Sequence, residues 1–435
     1  MTARCGKVLW EVVLSPMLPT VLLAPSLALI TQPRFFHAVV VNRRPSTVPR
    51  MLEVAAVPGY APVATAVSAV LEGARDQGVL DADAVASLSE PITAAVVLLA
   101  IVSIVGVVAK LVVERLVVPL LCGGSGGQAT VDLDRFTRGR QLGKGSYGAV
   151  YEARRDNEDE ASVVIKETNL GKDENTAEFA EAELFINQKL RLCGQSGCCA
   201  TFLGYAYQRG SLSLVFKKEG YATLEDALGK GFPLNVEDII GGGQGDDEKR
   251  SATVIRRISK QVFTNLAGIH SWSVVHRDVK GANFIISERD RKVKLVDFGV
   301  ATDLATGTNY RADLQPFDPC FCPPEAPPLD RGGGGGIKLS AGGAFDVFSA
   351  GLLVIQMCFP NTRSRDGIKR FKSALEDYDY DLKVWRESLE GDKAYQPGFE
   401  LLDKYGGWPM LQGCLRANPG SRISAAKAAA SGFCA

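Results

Sequence analysis

The chain has 435 residues, 46% of them apolar, and its 49 basic residues balance its 49 acidic ones. That balance excludes a nucleic-acid partner held by bulk electrostatics, and the length allows one large domain or two to three ordinary ones. Three histidines without an HExxH helix exclude a His-rich zinc hydrolase, and ten cysteines without a CxxC pair exclude a zinc ribbon or a thioredoxin-type motif.

The N-terminal third is organised by charge. Residues 1–52 carry Arg4, Lys7, Arg34, Arg43, Arg44 and Arg50 against one acid, Glu11. This basic, acid-poor composition predicts an organelle transit peptide. A secretory signal over the apolar residues 8–30 is the competing reading, but Glu11, Pro16, Pro19 and Pro25 interrupt that stretch. A short segment, 53–90, then precedes an expected transmembrane helix over 91–121, whose centre at 92–109 (ITAAVVLLAIVSIVGVVA) has no charge. At helical rise that centre is about 27 Å long, close to the hydrocarbon thickness of a bilayer. A buried core helix would show a polar face, and none is present. Acids precede the span (Glu72, Asp76, Asp81, Asp83, Glu90) and bases follow it (Lys110, Arg115, Arg135, Arg138, Arg140). The positive-inside rule therefore predicts a single-pass protein with everything after the span in cytosol or stroma. GGSGG at 123–127 marks a flexible linker over 122–133.

From about Asp134 the chain reads as a soluble mixture of strands and helices. Gly143, Gly145, Gly148 and Val150 form a GxGxxGxV element. A Rossmann turn would open a helix here; instead the glycines lead into an alternating strand at 149–153, as in a hairpin covering phosphates. Lys166 ends a β-branched strand, 163–166. A helix is predicted over 177–192, with Phe179, Glu183, Ile186 and Leu190 on one face. A carboxylate inside an apolar stripe needs a cation, and Lys166 is the natural one. Glu178 and Glu181 lie off the stripe, with Glu181 the fallback partner.

Residues 276–283 read HRDVKGAN, and DFG follows at 297–299. With these motifs the chain resembles the eukaryotic protein kinase family over 134–433. The resemblance implies an α+β, bilobal fold with a β-rich N-lobe and a helical C-lobe. It implies ATP and Mg²⁺ as cofactors and Ser/Thr of membrane proteins as substrate. Leu142, Gly143, Gly145, Gly148 and Val150 would cover the nucleotide, and Lys166 would pair with its phosphates and with Glu183. Asp278 would accept or orient the hydroxyl proton, and Lys280 would sit by the γ-phosphate. Asn283 and Asp297 would hold the metal ions. Glu325 of CPPE, Asp346 and Arg422 would be structural, with Arg422 gripping Glu325. Phe216 would be the gatekeeper and 217–220 the hinge, while Val164 narrows the adenine site. Glycine-rich insertions at 241–247 and 332–336 are expected to be disordered surface loops. A pseudokinase scaffold would lack the Lys or one of the two Asp residues, and all three are present.

The order of transit-like start, span, linker and kinase domain is similar to the thylakoid protein kinases of plants and green algae. The segment from Asp297 to Leu304, then Gly307, Asn309, Tyr310, Phe317-Asp318-Pro319 and CPPE, resembles that family's activation segment. The resemblance implies light-harvesting or photosystem II core proteins as substrates, a thylakoid location and a stroma-facing kinase domain, with 53–90 lumenal. Only Cys5 precedes the span, which points to the photosystem-core branch. A secretory or plasma-membrane kinase is the alternative. Cys193, Cys198 and Cys199 cluster after the Glu183 helix, where they either pack as small hydrophobes or form a thiol switch.

Overall fold

The computed structural model describes residues 130–145, 148–229, 231–309, 318–326 and 342–435. The expected transit peptide, the segment 53–90, the transmembrane helix and the 332–336 insertion lie outside the described residues, as does most of the linker. Among the described residues no helix is long and apolar enough to cross a membrane.

The N-terminal lobe is one antiparallel sheet of β1 (Phe136–Gly145), β2 (Gly148–Arg155), β3 (Val163–Asn169), β4 (Phe202–Gln208) and β5 (Ser211–Lys217), in the order β1-β2-β3-β5-β4. Alternation along β3 divides its side chains between two faces. Val163 and Ile165 enter a cluster with Ala153 and Val215, so Lys166 points to the opposite face. Register then aligns Gly143, Val150, Lys166 and Leu214 in one row across four strands.

Helix α1 (Glu174–Leu192) begins three residues before the expected start. The reason is a cap: the extended Asp173 accepts hydrogen bonds from the Thr176 backbone N–H at 2.6 Å and its hydroxyl at 2.8 Å. The helix serves two cores. Ala180 and Leu184 pack with Phe202, Tyr205, Leu212 and Leu214 under the sheet, whereas Ile186 and Leu190 join the large core of the helical lobe. Burial of each of Leu184, Ile186 and Leu190 contributes about 1.5–3 kcal/mol, so α1 is held from both sides.

The helical lobe contains α2 (Leu224–Ala227), α3 (Glu237–Ile240), α4 (Asp247–His270), α5 (Ala344–Cys358), α6 (Arg365–Asp377), α7 (Leu382–Glu387), α8 (Gln396–Lys404), α9 (Gly407–Cys414) and α10 (Ala425–Ala429). Residues 345–358 of α5 are all buried, which marks it as the central helix. Short strands β6 (Val274–Val275), β7 (Phe284–Ser287), β8 (Lys292–Leu295) and β9 (Thr302–Asp303) pair as β6·β9 and β7·β8. Their turns carry the residues of interest.

One expectation is corrected. The 241–247 run is not a disordered loop but the entry to α4. Asp246 caps the helix through the Lys249 N–H, and Arg257 donates to the Gly241 carbonyl at 2.6 Å. Residues 243–247 are exposed, as expected of a surface insert, but the run is ordered because its own backbone carbonyl and carboxylate have partners on α4.

Candidate active site

Lys166 is the hub of the cleft. Its Nζ lies 2.8 Å from Glu183 Oε1 and 2.7 Å from Asp297 Oδ1. Glu183 is therefore the carboxylate facing Lys166, while Glu181 accepts from the Tyr207 hydroxyl instead. Burial disfavours the ammonium, but the Asp297 and Glu183 carboxylates outweigh it and raise the Lys166 pKa, keeping it charged. The same ammonium holds Asp297 down at about 2. Burial pushes Glu183 up against the opposing pull of Lys166.

Backbone geometry brings Asp297 there. Its φ is +62°, and Arg277 in the catalytic loop has φ +66°, both in the sparsely populated left-handed region. Neighbouring bonds hold these conformations. His276 and Arg277 donate their N–H groups to the buried Asp346 carboxylate at 2.8 and 2.7 Å, and His270 Nε2 lies 2.8 Å from the same group. Burial opposes the charge on Asp346, but His270 and then His276 lower its pKa overall. His276 Nε2 bonds the Val296 carbonyl, and its ring packs on Phe298 at 5.0 Å. Gly299 allows close approach, because a Cβ there would stand 3.3 Å from Asp297 Oδ1 and 3.5 Å from both Glu183 Oε2 and Lys166 Nζ.

A second cluster forms on the catalytic loop. Asn283 Nδ2 donates to the main-chain and side-chain oxygens of Asp278, and Lys280 Nζ lies 2.9 Å from Asp278 Oδ2. Burial opposes the ammonium of Lys280, but Asp278 outweighs it and raises the pKa.

In the glycine-rich element, Gly148 is required by its neighbour, because a Cβ would run into the Glu167 carbonyl on β3. Gly143 has open space around it and pairs with Val150, and Gly145 pairs with Gly148. Leu142 is exposed at the bulge between Gln141 and Gly143, outside the Lys166 cluster. The loop tip, Ser146 and Tyr147, lies outside the described residues. Phe216 packs on Phe202 at 5.5 Å and sits opposite Val164. Away from the clusters, Arg422 holds Glu325 with two bonds of 2.6 Å, with the Arg422 side chain fully buried.

Three pairs escaped the sequence reading. Asp318 accepts two bonds from Arg365 and lies 3.7 Å from Lys280. Its only signal was the Phe317-Asp318-Pro319 pattern. Glu219, in the segment expected to be the hinge, accepts from the Thr201 N–H and hydroxyl and from Lys294 Nζ, all of them largely withdrawn from water. Lys189 pairs with Asp303 at 2.9 Å. Asp303 lay within the Asp297-to-Leu304 pattern, but nothing in the sequence pointed to its partner Lys189 or joined Glu219 to Lys294. In the cysteine cluster, burial pushes the Cys198 and Cys199 thiols up, the opposite of what a reactive thiolate needs.

Comparison with known proteins agrees with this arrangement. The protein kinase domain family matches residues 136–434. The chain is 34% identical over 328 residues to the chloroplastic serine/threonine-protein kinase STN7 of Arabidopsis thaliana, covering 68% of this chain and 56% of the relative. It is 33% identical over 304 residues to STN8 of the same plant, covering 61% of this chain and 58% of that relative. The chain thus spans somewhat over half the length of the curated relatives it matches. A crystal structure of a Stt7 homologue from Micromonas algae, soaked with ATP, superposes with a TM-score of 0.58 at 25% identity, covering 72% of this chain and 94% of that one. With two thirds of its length matching the domain and both lobes in place, the chain belongs to the protein kinase family.

Proposed function

We propose that the chain is a membrane-anchored kinase of the chloroplast thylakoid that transfers the ATP γ-phosphate to Ser or Thr of photosystem II core or light-harvesting proteins. The observation that carries the chemistry is the meeting of Lys166, Glu183 and Asp297 in one cluster and of Asp278, Lys280 and Asn283 in another. Lys166, kept cationic by two carboxylates, fits a ligand of nucleotide phosphates. Asp278 is oriented by Asn283 and accepts or orients the proton of the attacking hydroxyl. That hydroxyl oxygen bonds to Pγ as the bond from Pγ to the β-phosphate oxygen breaks, and Lys280 offsets charge on the transferred group.

The donor set also fits Mg²⁺. Asn283 uses its amide N–H on Asp278, so Oδ1 is the atom it can offer a hard cation, and Asp297 stays ionised. The metal, when bound, would neutralise phosphate charge.

Location and topology rest on composition and on kinship with chloroplastic kinases. Residues 1–52 act as transit peptide, 53–90 face the lumen, 91–121 span the membrane, 122–133 link, and 134–433 catalyse from the stroma. The test is to incubate the full chain with thylakoid membranes lacking endogenous kinase and γ-labelled ATP. Label on Ser or Thr of core or antenna proteins, absent with Asp278→Asn, is expected. Label on soluble proteins alone would overturn the reading.

A further inference from the structure

Lys189 stands six residues beyond Glu183 on α1, and its side chain and that of Asp303 are both 0% exposed. Lysine is almost never fully buried unless paired, and here Nζ meets Asp303 Oδ1 at 2.9 Å. Asp303 lies six residues beyond Asp297, on β9. Its carboxylate also accepts the Ala305 N–H at 3.0 Å and the Thr306 hydroxyl at 2.8 Å, so it organises the turn that follows. Through β6·β9 pairing and the bond from Arg277 to the Asn309 carbonyl, that turn is joined to the catalytic loop.

Two ion pairs therefore tie α1 to the same short stretch of chain, one on each side of Phe298-Gly299. Lys166 bridges Glu183 to Asp297, and Lys189 binds Asp303 directly. Along the helix the two attachment points are about 9 Å apart. One tether allows the helix to pivot; two do not. Swinging Glu183 away from Lys166 would drag the Lys189 ammonium off Asp303 in a region shielded from water, leaving two uncompensated buried charges.

We propose that Lys189 and Asp303 are positioning residues: a latch that holds α1 where Glu183 reaches Lys166, in fixed relation to Asp297. This rests on the assignment of Lys166 and Glu183 as the nucleotide-anchoring pair. The latch is built into the fold, so the Glu183 anchor is assembled without a partner bound to α1.

The test uses the full chain in membranes, with steady-state rates against ATP concentration. Two variants are made: Asp303→Asn, which keeps an accepting oxygen for the turn, and Lys189→Met/Asp303→Asn, which leaves no lone buried charge. Releasing α1 should raise the ATP KM at least fivefold and lower kcat/KM at least tenfold. In a Glu183→Gln background the same changes should cost less than twofold, because both act on one anchor. A lowered melting temperature with an unchanged ATP KM would mean a purely structural pair and overturn the latch. So would losses that simply multiply with that of Glu183→Gln. If Glu183→Gln alone leaves the ATP KM unchanged, the anchor assignment fails; if it raises KM and the Asp303 variants do not, only the latch fails.

Discussion

Asn283 donates its side-chain amide to both the main-chain and a side-chain oxygen of Asp278, at 2.8 Å each. The carboxylate is thereby fixed relative to its own backbone before any substrate arrives, and Lys280 Nζ lies 2.9 Å from the same side-chain oxygen. Positioning of this kind is most of what phosphoryl transfer asks of a protein.

Replacing Asp278 with Asn should lower kcat by about 100- to 10,000-fold, the usual contribution of a positioned acid–base group. ATP affinity should change little, because Asp278 acts on the hydroxyl and not on the nucleotide. Calorimetric ATP titration beside single-turnover rates checks both halves. A wild-type rate would remove Asp278 from the mechanism.

Lys166→Met should weaken nucleotide binding and leave Glu183 buried without its cation. Burial and Asp297 already push the Glu183 carboxyl up, and Lys166 is what pulls it back. Without that pull its folded pKa lies further above the unfolded value, so the folded state favours the proton. Stability of the variant relative to wild type is then best below the unfolded carboxyl value, about 4.3. It should decline as pH rises through the folded value. Urea unfolding of both proteins from pH 4.5 to 8 measures this, and a gap that narrows with rising pH would contradict it.

Arg422→Ala should destabilise the fold by about 2–4 kcal/mol, because it breaks a pair in which the guanidinium is fully buried and Glu325 is left without its partner. Arg422→Lys should not restore it, since one ammonium cannot make both 2.6 Å bonds. Chemical denaturation of the two variants decides, and full recovery by Lys would argue against the bidentate grip.

Protease added to the stromal face of sealed thylakoids should digest the chain beyond Leu121 and spare residues 53–90. Mass spectrometry of the protected fragments reads this out. The reverse pattern would overturn the orientation drawn from the charges flanking 92–109.

Sequence by itself determined the family. HRDVKGAN and DFG were legible because phosphoryl transfer needs fixed residue types at fixed spacings, here on the two turns flanking the β7·β8 hairpin. The Glu183–Lys166 pair was legible for a different reason: a lone carboxylate in an apolar helical stripe demands a cation, and Lys166, expected at the end of its strand but found in the middle of β3, supplied one. The cap that starts α1 at Glu174 lies in local sequence too, in Asp173 and Thr176, although apolar spacing alone placed the start later. Only the tertiary structure decided the buried pairs Lys189–Asp303 and Glu219–Lys294 and the exposed Arg365 grip on Asp318, whose partners lie 114, 75 and 47 residues apart. A lysine in the last turn of a helix reads as a solvated dipole partner until the neighbouring lobe closes over it. The glycine run at 241–247 reads as a free loop until Arg257 of α4 reaches its carbonyl. Spacing encodes contacts within one element, but a charge pair between distant elements carries no period, and its partners are specified only when packing removes the water around them.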